Sequence, residues 1–188
     1  MITDIFNTNI AKILTLISVS PGSRFNRDDI KVKTMLNNVP LDYSLNILVN
    51  NNILIKEKRL YILNFSNEFA KDMIQTFNKE YMRFKEIPLN IYYLLLDVSF
   101  ALSTTKKVEN IYLFGSFSKL IHTDKSDVDL AIILNELDKD IIKEMKKSIL
   151  KIEKKYNKLI ETHFFEKKDM KVNDPIIKEI KKNGIMLY

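Results

Sequence analysis

The sequence predicts an α+β protein with two parts: a helical N-terminal part ending in a β-hairpin, and a C-terminal part built on a small mixed sheet. Three observations lead to this fold class. Three short helical patterns are followed by two short apolar runs on either side of a polar turn. Further along, the apolar segments 108–114 and 128–134 have the length of buried strands. Between them lie Gly115-Ser116 and enough chain for one short helix.

The composition restricts the classes of function. The 188 residues contain no cysteine, which excludes disulfides, thiolate nucleophiles and cysteine zinc sites. The only histidines are His122 and His163, so a bound metal is expected to be a hard cation with oxygen ligands. A net charge of +6 permits contact with nucleic acid without requiring it. We expect a cytoplasmic protein without membrane contact, because no signal-peptide pattern is present and the most apolar run, 89–102, is too short to span a bilayer.

The first part begins with three predicted helices. Apolar residues recur at helical spacing from Ile10 to Ile17. A second helix is predicted from Arg27 to about Leu36, with Asn26 as its N-cap. The segment 37–40 is predicted to be a turn, and a third helix is expected from Leu41 to about Val49.

A hairpin follows these helices. The runs 53–56 and 60–63 flank a basic turn and are typical of paired strands. Three helices and a hairpin, from about Thr8 to Leu63, resemble a winged helix-turn-helix domain, whose third helix enters the major groove while the hairpin touches the phosphate backbone. The resemblance implies double-stranded DNA as a partner, and its candidate contacts are Tyr43, Asn46, Lys58 and Arg59, with further phosphate contacts from Arg24, Arg27, Lys31 and Lys33.

The predicted third helix contains no Lys or Arg, which is unusual for a DNA reader. The alternative is therefore a domain of this fold that serves for dimerisation or as a rigid appendage.

Two helices are predicted to connect the parts. One is amphipathic and runs from Glu68 to about Lys85, and the other is very apolar and runs from Leu89 to about Ser103. The apolar face of the first is expected in the core or in a homodimer interface, and it comprises Phe69, Met73, Ile74, Phe77, Tyr81 and Phe84. The predicted domain organisation is 1–66 for the winged helix-turn-helix domain, 67–104 for the helical connector and 105–188 for the C-terminal domain.

After the strand at 128–134, a charged helix is predicted from Asp138 to about Tyr156, then a strand at 159–165 and a last helix starting at Pro175. Lysines dominate the charged helix. A solvated surface is the usual reason for such a run, and contact with nucleic acid is the alternative.

The chemistry is expected at Asp127 and Asp129. Side chains two positions apart on a strand point to the same side, so these carboxylates project together and repel each other unless a cation lies between them. Mg²⁺ favours one or two carboxylates together with phosphate oxygens. Gly115 allows the backbone to approach a phosphate closely, and Ser116 offers an N–H and a hydroxyl.

This arrangement resembles the minimal nucleotidyltransferase branch of the DNA polymerase β-like superfamily. The family pattern is an apolar strand, Gly-Ser, about ten residues, then Asp-x-Asp between apolar neighbours. Here it is met by Leu113-Phe114-Gly115-Ser116 and Asp127-Val128-Asp129-Leu130, over about residues 106–188. The resemblance implies that Asp127 and Asp129 ligate one or two Mg²⁺ ions and that Gly115 and Ser116 hold the phosphates of ATP or another nucleoside triphosphate.

The resemblance also implies a third metal-ligating carboxylate that can act as a catalytic base, and Glu161 on the next strand is its candidate. Family members often carry a basic residue and a glycine in the short helix. Lys119 is the candidate for the basic residue, whereas Leu120 replaces the glycine.

Two functions follow from these patterns. The first is Mg²⁺-dependent transfer of AMP from ATP to a protein acceptor, as in antitoxins that modify small helical toxins. The second is a DNA-binding regulator whose nucleotidyltransferase domain senses nucleotide or mediates assembly without turnover.

Overall fold

The computed structural model describes residues 7–84, 87–105 and 107–187. The chain divides between residues 85 and 86 into two compact units, the N-terminal unit and the C-terminal unit. None of the helices in the described ranges has the length and hydropathy needed to cross a bilayer.

The N-terminal unit combines four helices with a three-stranded antiparallel sheet in the order β1-β3-β2. Helix α1 is buried on nearly all sides, whereas α4 is amphipathic, and the two helices pack against each other. The elements are α1 (Thr8–Val19), β1 (Phe25–Asn26), α2 (Arg27–Thr34), α3 (Asn38–Asn50), β2 (Leu54–Glu57), β3 (Leu60–Leu63) and α4 (Glu68–Met82).

The predicted elements of this unit are present, with two differences. Asn26 caps α2 as predicted, in a reciprocal capping box with Asp29. The prediction of a turn over residues 37–40 was wrong, because α3 already begins at Asn38. Pro40 fits there since the N–H groups of a first helical turn have no intrahelical acceptor. The two-residue strand β1, which pairs with β3 through Phe25 and Tyr61, was not predicted.

The apolar face of α4 differs from the prediction at its start. Met73, Ile74 and Phe77 are buried, whereas the Phe69 side chain is 62% exposed and Ala70 is buried instead. Helical periodicity identifies which side of a helix is buried, but it does not show at which residue along the helix the burial begins.

The C-terminal unit is a four-stranded mixed sheet with helices against it, and the sheet order is β6-β5-β4-β7. Strand β5 pairs with β4 antiparallel and with β6 parallel, and β7 pairs antiparallel with β4. The elements are α5 (Leu89–Ser103), β4 (Val108–Phe114), α6 (Gly115–Ser118), β5 (Val128–Leu134), α7 (Lys139–Tyr156), β6 (Ile160–Glu166), α8 (Pro175–Asn183) and β7 (Ile185–Met186).

The two helices of the predicted connector belong to different units. Helix α4 packs against α1, while α5 packs against α7 and β4. Each helix buries its apolar residues against other elements of its own unit, α4 in the N-terminal unit and α5 in the C-terminal unit. The predicted domain limits at 66 and 104 stay predictions.

Both sides of the C-terminal sheet are covered over most of its length. Leu130 and Ile132 are fully buried on one side. On the other side Phe114, Ala131 and Ile180 form a buried cluster. The second side also carries Asp129, at the end of the sheet where this cluster stops.

Candidate active site

Three segments meet at one end of the C-terminal sheet. Strand β4 is antiparallel to β5, and β6 is parallel to β5. The end of β4 and the starts of β5 and β6 therefore lie at the same end of the sheet. The register pairs Asp129 with Phe114 on one side and with Glu161 on the other. Paired residues point to the same side of a sheet, so the carboxylates of Asp129 and Glu161 are neighbours, with strands about 4.8 Å apart.

Gly115 connects β4 to the short helix α6 directly against Asp129. Its φ of +71° lies in the left-handed region, which side chains other than hydrogen rarely permit. A Cβ atom at this position would lie 1.9 Å from Oδ2 of Asp129. Glycine is therefore required here twice, once for the backbone angle and once for the space that the carboxylate occupies.

The charge on Asp129 is disfavoured by its surroundings. Burial raises the pKa of this carboxyl, and the negative charges of Glu161 and Asp127 raise it further. His163 and a backbone hydrogen bond from Ser116 act in the opposite direction without cancelling the rise. The site thus concentrates negative charge that the surrounding side chains do not neutralise.

Asp127 lies one residue before β5, in an exposed loop. It lines a hollow of about 490 Å³ together with Lys125, Lys154, Lys158 and the exposed Leu159. Lys125 lies in the same loop as Asp127, two residues before it. Sequence reasoning did not select Lys154 or Lys158 as site residues, because they are 27 or more positions from Asp127 along the chain and come close to it only in the fold.

The donor set fits a magnesium ion held mainly by two carboxylates. Within the described ranges, no group of three or more His, Asp or Glu side chains converges closely enough to enclose a metal. Mg²⁺ does not need such a cage, since one or two carboxylates suffice when phosphate oxygens and waters complete the octahedron. Asp127 and Asp129 can supply these two ligands. Burial and the charges of Glu161 and Asp127 raise the pKa of Asp129, and a cation would offset the part that comes from the charges.

Glu161 is next to the pair but points further into solvent, with its side chain 60% exposed. Its Oε1 lies 3.3 Å from Nε2 of His163. The His163 ring is held edge-on against Phe114, with 5.4 Å between ring centroids. His163 is therefore the side chain that lies next to the Glu161 carboxylate at the end of the sheet.

The Lys119 side chain already has an ion-pair partner. Its Nζ lies 2.7 Å from Oε1 of Glu179 on α8, so the charge of Lys119 is compensated within the unit. The next residue, Leu120, adopts a φ of +57° where the family pattern has glycine. The predicted contact of Lys119 with phosphate would require this ion pair to open, and it stays a prediction.

The residues predicted to contact DNA are accessible in the N-terminal unit. Tyr43 is 64% exposed, and Asn46 is exposed on the same side of α3. Lys58 and Arg59 line a hollow of about 410 Å³ beside the start of α2. Arg27 also lines this hollow, but its guanidinium binds both carboxylate oxygens of Asp42, at 2.6 and 2.9 Å.

Two comparisons with known proteins bear on the C-terminal unit. Residues 98–188 match the family model described as Polymerase beta, Nucleotidyltransferase. No curated protein matches the chain. The matched range contains the glycine turn, both aspartates and Glu161. Together with the geometry at the end of the sheet, this match supports a polymerase β-like nucleotidyltransferase domain in residues 98–188.

Proposed function

We propose that the protein is a Mg²⁺-dependent nucleotidyltransferase that transfers AMP from ATP to a hydroxyl group of a protein. The observation that carries this proposal is the packing of the Gly115 turn onto the Asp129 carboxylate. It brings a backbone turn suited to phosphate and a carboxylate suited to a cation within contact of each other. Neither feature is needed for folding, since an ordinary turn and an apolar residue would serve the sheet better.

Each site residue has one task in this reaction. Asp127 and Asp129 would hold Mg²⁺, which would supply positive charge to offset that of the triphosphate. The N–H groups around Gly115 and Ser116 orient the phosphates. Glu161 accepts the proton of the acceptor hydroxyl, whose oxygen attacks the α-phosphorus in line. The bond from the α-phosphorus to the bridging oxygen breaks, and pyrophosphate leaves.

The acceptor follows from the resemblance to minimal nucleotidyltransferases. In that branch the hydroxyl belongs to a protein side chain, and the acceptor is a small helical toxin that the modification neutralises. This protein would then act as an antitoxin.

A transfer assay with α-labelled ATP and Mg²⁺ tests the proposal on small helical proteins encoded beside this gene. Wild-type protein is expected to label an acceptor, and Asp127→Asn/Asp129→Asn is expected to abolish labelling. Glu161→Gln should slow transfer by about 10²- to 10⁴-fold, the usual contribution of a general base. Equal labelling by wild type and the double aspartate variant would exclude this site as the source of activity.

The second candidate function is regulation of transcription by the N-terminal unit as a winged helix-turn-helix domain. It is favoured by the basic hollow at Lys58 and Arg59 next to the exposed side of α3. A mobility shift on DNA from the protein's own promoter tests it. Lys58→Ala/Arg59→Ala should weaken binding and reduce the salt slope by about two, since two phosphate contacts are lost. An unchanged slope would leave this unit with a structural role.

A further inference from the structure

One side of α7 carries a row of lysines that ends at the candidate active site. The row, here the lysine track, consists of Lys139, Lys143, Lys146, Lys147 and Lys154, with Leu150 between the last two. At 3.6 residues per turn, these five positions all fall within about 100° of one another around the helix axis, so they share one side of the helix. From Lys139 to Lys154 the row extends about 22 Å at the usual rise of an α-helix.

Two hollows lie along the lysine track, and Leu150 lines both of them. The first has a volume of about 490 Å³ and is lined by Lys139, Lys143, Lys146, Lys147 and two apolar side chains, one of which is Leu150. Leu150 and Lys154 also line the second hollow, which contains Asp127. A partner lying along α7 would therefore reach Asp127, which precedes Asp129 by two residues.

The charges of the track are available to a partner. Among the residues that the structure describes, the track lysines form no ion pair with a carboxylate. By contrast, Lys155 on another side of the same helix binds Asp97 at 2.8 Å. Asp124 and Glu153 line the second hollow beside Lys154, so the excess of positive charge lies along the first hollow, where Lys146 also contacts the Phe164 ring at 5.8 Å. Like charges along one helix side repel each other, and an anionic partner would lower this repulsion.

The apolar part of the track distinguishes a protein from a nucleic acid. Leu150 is 49% exposed at the centre of the track, and Leu159 is 65% exposed where the track meets Asp127. Sites for single-stranded nucleic acid present aromatic side chains for base stacking and favour arginine for phosphate. The C-terminal unit contains no arginine. Apolar centres with a charged rim are typical of protein interfaces.

We infer that the lysine track docks an acidic surface of the protein acceptor and guides its hydroxyl to the site at Asp127 and Asp129. This inference rests on the proposed function and adds to it the surface chemistry of the acceptor: a row of carboxylates about 22 Å long with an apolar side chain near its middle. Complementary charge provides rapid encounter and a fixed orientation, and the leucines provide contact area.

Binding is tested without ATP or Mg²⁺, on the full chain. The probe is a fluorescein-labelled helical peptide of about six turns that carries glutamates along one side with a central leucine. The comparison probe is a poly(U) RNA of equal charge. Fluorescence anisotropy is measured at low ionic strength and again with added KCl.

The track variant is Lys143→Glu/Lys146→Glu/Lys147→Glu. Its matched control, Lys171→Glu/Lys178→Glu/Lys182→Glu, changes three exposed lysines elsewhere in the C-terminal unit and alters the net charge equally. The track variant is expected to bind the peptide at least about tenfold more weakly than wild type, whereas the control should stay within about twofold. Equal weakening in both variants would overturn the inference, because it would reflect net charge alone.

Two further variants keep the test decisive. If the track variant fails to fold, Lys143→Gln/Lys146→Gln/Lys147→Gln removes the charges without reversing them and should still weaken binding. Leu150→Ser should weaken the peptide complex and leave binding of poly(U) unchanged. Tighter binding of poly(U) than of the peptide would overturn the inference in favour of a nucleic acid.

Asp127→Asn/Asp129→Asn should lose transfer and keep peptide binding. The transfer assay therefore tests the proposed function, and the binding assay tests the docking surface independently of it.

Discussion

The contact between α2 and α3 and the end of the C-terminal sheet handle charge in opposite ways. Between α2 and α3, the Arg27 guanidinium donates hydrogen bonds to both carboxylate oxygens of Asp42, so these two charges compensate each other. At the end of the C-terminal sheet, Asp129 is near the like charges of Glu161 and Asp127, and its pKa is raised first by burial and then by these charges. The Arg27–Asp42 ion pair needs no further partner. The carboxylates near Asp129 need a cation to offset their charge, and this difference separates a structural contact from a candidate active site.

The largest effect is expected for Gly115→Ala. The new methyl group would have to displace the Asp129 carboxylate, and alanine would have to adopt the left-handed φ of +71°. We expect unfolding free energy to fall by about 1–3 kcal/mol and transfer to drop sharply. Chemical denaturation and the transfer assay measure the two effects.

Gly22→Ala is the control for this change, because no atom lies within 4 Å of a Cβ built there. It should leave both quantities nearly unchanged. A fully active Gly115→Ala protein would show that close approach of this turn to Asp129 is unnecessary for the reaction.

An intermediate effect is expected for Asp129→Asn on stability in the absence of metal. A raised pKa in the folded state means that folding favours the protonated form, so stability is fully present below the unfolded pKa and is lost as pH rises through the folded pKa. Removing the charge should therefore raise the melting temperature at pH 7, and the gain should disappear near pH 4, below which the carboxyl is protonated in both states. Thermal melts in EDTA at both pH values measure this.

Asp124→Asn, which alters an exposed aspartate in the same loop, should not raise the melting temperature. Added Mg²⁺ should stabilise wild type and not Asp129→Asn, because only the wild type binds it. A variant less stable than wild type at pH 7 would mean that the carboxylate is already compensated.

The smallest effect is expected for Asp42→Asn. The hydrogen bond from Arg27 lowers the pKa of Asp42, so the ion pair contributes stability above the unfolded pKa and loses it as pH falls through the folded pKa. The melting temperature should be slightly below that of wild type at pH 7 and equal to it below about pH 3. If the N-terminal unit binds DNA, the freed Arg27 should also steepen the salt dependence by about one. An unchanged slope would place Arg27 away from DNA.

Local patterns predicted much of this fold. Both strands around the glycine turn begin and end where their apolar residues do, and Asn26, Asn67, Asp138 and Asp174 cap their helices through local hydrogen bonds. Contacts between distant segments could not be predicted in this way. The pairing of Met186 with Tyr112 and the ion pair between Lys119 and Glu179 join residues sixty or more positions apart.

In the candidate site, too, local patterns were predictable from the sequence and contacts between distant segments were not. The Gly-Ser and Asp-x-Asp pattern identified Gly115 and Asp129, since spacing along one hairpin is a local property. The approach of Lys154 and Lys158 to Asp127 depends on where α7 ends, and the sequence carries no signal for it. The alternation along the strand predicted that Glu161 and His163 share one side of the sheet, and their side chains approach to 3.3 Å there, whereas the contact of the His163 ring with Phe114 on β4 was not predicted.

Strand β5 is hydrogen-bonded on both sides, to β4 and to β6. Amide hydrogens of Leu130 to Ile133 should therefore exchange with solvent far more slowly than those of residues 121–127, which have no regular structure. We therefore expect slow exchange of the backbone that carries Asp129 and faster exchange around Asp127, which lies outside the strand. Binding of a metal nucleotide should leave exchange in the strand unchanged and slow it in the loop, so Asp127 bears the entropic cost of assembling the site.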